Sequence, residues 1–141
     1  MGEYDQLRIK AFEHWTLYLH KSQYFLGRTY AWANREDAGP DDFFHMSKEE
    51  SAEFIDIGNK VRAALDELWK PDLLNVTFLG NEAPHLHGHL IPRYRNPRQF
   101  DGSVFEDKVW GKNPAFYDRE ADVPLVTKLG IRDIIRYTLN K

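Results

Sequence analysis

The 141-residue chain contains no cysteine, which removes disulfide staples and thiolate chemistry together. It has no excess of positive charge either. Nineteen Lys and Arg stand against 22 Asp and Glu, for a formal net charge of −3. An extended nucleic-acid polymer is therefore a poor partner, because proteins that bind one present a basic face to its phosphates. No apolar run reaches the length of a membrane span or a signal core, and Glu3 and Asp5 are wrong for a signal's basic start. These absences predict a cytoplasmic protein with no membrane partner. Repeats and low-complexity linkers are missing as well. The remainder is ordinary globular composition, 42% hydrophobic and 29% charged, and a single domain over 1–141 can bury a core without staples. A small anionic ligand stays within reach, since it needs only a local basic site.

The most informative stretch runs Pro84-His85-Leu86-His87-Gly88-His89-Leu90-Ile91-Pro92-Arg93. Three of the six histidines fall here at alternate positions. In a strand, successive side chains point to opposite faces, so His85, His87 and His89 share one face, roughly 6.5–7 Å apart along the chain. A helix would scatter them about 200° apart. Neutral imidazole is a nucleophile, a proton carrier and a metal ligand, and crowded imidazoles disfavour one another's charged form, which keeps a lone pair available.

Around this stretch the pattern predicts an α+β fold with an antiparallel sheet of about five strands. Asp5 to Phe12 reads as a short helix. Trp15–Leu19 and Thr29–Ala33 read as strands of a hairpin, with a bend at Gly27. Ala38 to Asp42 is a loop by composition. Ser47 and Glu50 form a capping box, and Phe54, Ile57, Val61, Leu65 and Leu68 give the helix that follows one apolar side, up to Trp69 before Pro71. Leu73 to Leu79 is a strand that forms an antiparallel hairpin with the histidine strand. One long helix crossing the sheet would leave the histidine face open to a ligand, with Trp15 and Trp32 filling the core or lining a pocket. Arg93, Arg95 and Arg98 make either an exposed basic loop or a phosphate contact. Phe100 to Tyr117 fits a lid, an interface arm or an irregular packed loop. Pro124 opens a C-terminal helix with Asp122 near its N-cap and Leu125, Leu129, Ile134 and Ile135 as its apolar positions.

His85-Leu86-His87-Gly88-His89-Leu90-Ile91, followed by Pro-Arg-Tyr, resembles the histidine triad (HIT) signature, His-φ-His-φ-His-φ-φ with φ apolar. The preceding Leu79-Gly80-Asn81-Glu82-Ala83-Pro84 resembles the loop that those proteins place before the triad, and the likeness runs from about Tyr24 to Tyr117. It implies a HIT-like fold, a homodimer, and a nucleotide hydrolase or transferase of the diadenosine polyphosphate hydrolase-like type. His87 would attack the α-phosphorus and form a nucleotidyl-histidine. His85 would orient His87, His89 would stabilise the phosphoryl oxygens, and Asn81 and Arg93 would bind substrate. No cofactor is obligatory, although Mg²⁺ can accompany the substrate phosphates.

Three departures stand out. Gly88 occupies a position that is usually bulky and apolar. A fourth histidine common in relatives, expected at the end of the second strand, is replaced by Asn34-Arg35-Glu36-Asp37, while His14, His20 and His45 read as surface or satisfied side chains. The Gln-Ser or Gln-Thr pair before the triad is also missing, so no residue is assigned to protonate the leaving group. Two alternatives follow: a metal-binding protein that adds a carboxylate such as Glu82 to the histidines, and a nucleotide-binding module with little turnover.

Overall fold

The computed structural model describes residues 3–36 and 42–141. Most of the expected loop from Ala38 to Asp42 lies outside the described residues; Asp42 itself caps a short 3-10 helix, Phe43–His45.

Five antiparallel strands form the main sheet: β1 (Arg8–Ala11), β2 (Trp15–Leu19), β3 (Thr29–Ala33), β4 (Leu73–Thr77) and β5 (His87–Arg93). Their spatial order is β1-β2-β3-β5-β4, so β5 is inserted between β3 and its own hairpin partner. The period-two pattern explains which side each strand buries. Trp15, Leu17 and Leu19 are buried, whereas Thr16 and Tyr18 between them are half-buried on the other face.

Helix α1 (Glu3–Gln6) is a single turn, and helix α2 (Lys48–Leu68) crosses the buried face of the sheet. Ser47 accepts from the Glu50 amide while Glu50 accepts from the Ser47 amide, the reciprocal pair read from the sequence. Phe54, Ile57, Val61, Ala64 and Leu65 face the sheet, and Trp69 closes the helix. Helix α3 (Leu125–Leu139) packs against α2 and β1.

Three expectations need correction. Residues 8–11 are the edge strand β1 instead of a helix, because Arg8 pairs with Tyr18 and Ala11 with Thr16, and Ile9 then points into the core. Phe100 to Tyr117 opens with an unexpected hairpin, β6 (Arg98–Phe100) and β7 (Ser103–Phe105), turned at Asp101-Gly102 with both residues at positive φ. In α3 the buried stripe is Thr127, Ile131 and Ile135, and Leu125 is exposed. Asp122 makes no N-cap there; it accepts from the Gln23 amide and from Lys128.

Gly88 has its reason in the core beneath β5. A Cβ at this position would lie 2.4 Å from Phe78 Cζ and 2.8 Å from Phe54 Cε1. Phe54, Phe78 and Trp15 form an aromatic group there, with Phe54 centroids 4.8 Å from Phe78 and 5.3 Å from Trp15. The rings fill the space that a bulky residue on β5 would otherwise take.

Candidate active site

The face of the sheet not covered by α2 carries a cleft of about 1210 Å³. His87 and His89 line it from β5, Tyr30 and Trp32 from β3, and Asn81 and Glu82 from the loop before the triad. Pairing of Trp32 with His87 and of Tyr30 with His89 puts each imidazole beside an aromatic ring. The ring centroids of Trp32 and His87 are 5.4 Å apart, those of Tyr30 and His89 5.8 Å, and those of His87 and His89 5.1 Å.

His85 lies two residues ahead of β5. Its ring stacks on Trp32 at 4.3 Å with an interplanar angle of 7°, and its Nε2 is 2.6 Å from the Ala33 carbonyl. It thus secures the entry to β5 against β3. The orientation of His87 comes from a different group than expected: His87 Nδ1 is 2.6 Å from the backbone carbonyl of His85. A carbonyl can only accept, so His87 carries its proton on Nδ1 and presents the lone pair at Nε2.

His89 is held in the opposite tautomer. Arg28 donates to its Nδ1 at 3.4 Å, so the ring proton is on Nε2. Burial, then the charge of Arg28, then His87 lower its pKa to about 3. His20 lies on the same face, 5.5 Å from His89 between centroids, and accepts from the Ser22 amide at Nδ1. Burial first, then Arg28 and His89, bring its pKa to about 2. His20 is therefore a neutral, satisfied side chain, as expected, but one that lies within the cluster. His14 and His45 pair instead with acidic neighbours, Glu13 and Asp42.

Arg93 requires a further correction. It is buried, and its five N–H donors are all engaged: Nε and one Nη with Asp107 at 2.7 and 3.3 Å, and the rest with Asn75, the Lys112 carbonyl and the Val109 carbonyl. A guanidinium has five donors, so none is left for phosphate. Arg93 anchors the 106–117 segment beside the sheet, where Phe25 lies under its guanidinium at 5.0 Å. Arg98 binds the Trp69 and Lys70 carbonyls and so braces the end of α2. Sequence reasoning missed Arg28, for which the only local cue is its place just before β3.

The cleft is basic although the chain is not. Among the described residues that line it, Lys21, Arg28, Lys112 and Arg119 stand against the single carboxylate of Glu82, while the charge of Arg93 is met by Asp107. Among the described residues, no group of three or more His, Cys, Asp and Glu side chains is arranged to hold a metal ion, and no helix is long and apolar enough to cross a membrane.

Residues 36–96 match the HIT domain family. The fold is that of solved histidine triad proteins. A histidine triad protein from Bradyrhizobium japonicum is 20% identical with a TM-score of 0.75, covering 94% of this chain and 89% of its own. A hypothetical histidine triad nucleotide-binding protein from Sulfolobus tokodaii is 17% identical with a TM-score of 0.66, covering 95% and 83%. A Zn-bound histidine triad family protein from Mycobacterium smegmatis is 20% identical with a TM-score of 0.58, covering 95% and 84%. No curated protein matches the chain by sequence. The histidine triad match takes in α2, β4 and the triad itself, and the similarity of folds extends over both flanks.

Proposed function

We propose that the chain is a histidine triad nucleotide hydrolase, one HIT-like domain over 1–141 working as a homodimer. It acts at the α-phosphate of adenosine or other purine nucleotide conjugates such as diadenosine polyphosphates. The observation that carries the reading is the His87 tautomer, with Nδ1–H given to the His85 carbonyl and Nε2 free at the wall of a basic cleft. Nε2 attacks the α-phosphorus, the bond from phosphorus to the leaving-group oxygen breaks, and the nucleotide is left on Nε2. The ring then carries positive charge, and the His85 carbonyl accepting its Nδ1–H stabilises that charge. Water displaces the nucleotide in a second step and restores the free imidazole. In this scheme neutral His89, with its proton on Nε2, donates to the phosphoryl or leaving oxygen, and Asn81, which lines the same cleft, contacts phosphate.

A metal-binding role finds less support, since the ring nitrogens His85 Nε2 and His87 Nδ1 are each committed to a carbonyl. No cofactor is obligatory in this scheme, and Mg²⁺ can accompany the substrate phosphates.

The test is His87→Asn assayed with a panel of adenosine and guanosine conjugates. Turnover should fall on the order of 10⁴- to 10⁶-fold, the cost of losing a catalytic nucleophile, while nucleoside monophosphate binding persists. Rapid quench with a label at the α-phosphate should place acid-labile label on His87, and the two displacements should retain configuration at phosphorus. Net inversion, or turnover that survives the substitution, would mean that water attacks directly.

A further inference from the structure

Two guanidinium groups stand beside the same cleft, Arg93 buried and Arg28 half-buried, and they differ in their partners. Arg93 has a carboxylate, a side-chain amide and two carbonyls around it. Arg28 has none of these. It takes part in no ion pair among the described residues. Its Nε is buried without a hydrogen-bond partner. One Nη reaches the neutral ring of His89 at 3.4 Å. The other contact is the Tyr117 side chain, whose ring lies 5.7 Å from the guanidinium carbon. The same ring carries Arg119, 5.1 Å from its centroid, which brings a charge of the same sign close to Arg28.

A cation taken out of water without a counter-charge is costly, and folded proteins compensate such groups. Among the described residues Arg28 has no carboxylate partner, only the neutral His89 ring and the Tyr117 side chain, and it is aimed by β3 on one side and His89 on the other. We propose that Arg28 is a substrate-contacting residue that donates from its Nη groups to phosphoryl oxygens held beside His87 and His89, and that Arg119, on the same Tyr117 ring, is a second cation for a further phosphate. The ligand class is thus an anion with at least two phosphate groups, bound with its charge toward β3 and the 117–119 segment. The nucleoside half of that ligand rests on the nucleotide reading above. The anion site does not.

The same arrangement divides the work of the triad. Neutral His89 positions Arg28 through Nδ1 and keeps one N–H for the oxygens. The positive charge that meets the phosphate then comes from an arginine, which stays protonated at any working pH. A guanidinium also fits two phosphoryl oxygens at once, which an imidazole cannot do.

The experiment uses the full chain and inorganic pyrophosphate as the probe, with binding measured by calorimetry for wild type, Arg28→Gln, Arg28→Lys and Arg119→Gln. Arg28→Gln should weaken pyrophosphate about 10- to 100-fold, the range expected for a charged hydrogen-bonding group. Arg28→Lys should recover part of that affinity, and Arg119→Gln should lose less. The melting temperature of Arg28→Gln should stay level or rise, since a half-buried cation without a carboxylate partner has been removed. Wild type that does not bind pyrophosphate, or Arg28→Gln that binds it normally, overturns the proposal. So does a lower melting temperature in Arg28→Gln, which would make Arg28 a structural brace. If pyrophosphate binding depends on Arg28 as stated but no conjugate releases a monophosphate, the anion site stands and the hydrolase reading falls.

Discussion

Replacing Gly88 with alanine adds one methyl group to β5 and tests the account of the aromatic core beneath it. The new carbon would start 2.4 Å from Phe78 Cζ and 2.8 Å from both Phe78 Cε1 and Phe54 Cε1. Carbon atoms in good contact sit about 3.5–4.0 Å apart, so the Phe78 ring has to retreat by about 1 Å. Phe54 and Phe43 limit that retreat, with centroids 4.8 and 5.1 Å from Phe78. Overpacking of this kind costs about 1–3 kcal/mol. A strand residue that is not glycine recovers about 0.5–1 kcal/mol in chain entropy. The net expectation is a loss of about 0.5–2 kcal/mol, read as a lower urea midpoint at unchanged m-value. Gly88→Leu should lose more. Adding Phe78→Leu to Gly88→Ala should return much of the loss, because the two sites share one volume and their effects cannot add. A Gly88→Ala protein as stable as wild type, or a double variant whose losses simply sum, would refute the reasoning.

Acid should unfold the protein in a window set by His20 and His89. Both have folded pKa values far below 6.5, about 2 and about 3, chiefly from burial. The unfolded chain therefore binds more protons as pH falls below 6.5, so stability is complete above that value. It then declines by about 1.4 kcal/mol per pH unit for each ring. A urea midpoint that is flat from pH 7 to pH 5, or a slope unchanged in a His20→Asn/His89→Asn double variant, would exclude this. Asp107→Asn should cost about 3–5 kcal/mol, since it leaves the Arg93 charge buried and unpaired. Arg93→Lys should also lower the melting temperature. If it raises KM for a nucleotide at unchanged stability, Arg93 contacts substrate after all.

The elements legible in the sequence are those whose signals are local. The alternation over Trp15–Leu19, the capping box at Ser47 and the apolar side of α2 each depend on residues within one strand or a few turns. β1 was not legible because Ile9 and Leu7 suit a helix or a strand equally, and only pairing with β2 decides between them. The β6–β7 hairpin did leave a signal, the Asp101-Gly102 turn, which was obscured by the irregular aromatic stretch around it. At the site, three histidines at alternate positions declared themselves. Arg28 and Arg93 did not, because what separates a saturated guanidinium from an open one is the company each keeps. Asp107 meets Arg93 from 14 residues away and Tyr117 meets Arg28 from 89 residues away. Spacing along the chain carries no trace of either meeting.

The hydrogen bond from His87 to residue 85 is made to the main chain, and every amino acid brings that carbonyl. Whatever side chain occupies position 85, the oxygen two residues before His87 remains, provided the backbone follows the same path. The tautomer of His87 is thereby insulated from drift at its neighbour. The side chain at position 85 itself packs on Trp32 and bonds to the Ala33 carbonyl. The three histidines, alike in the sequence, thus have unlike surroundings in the fold.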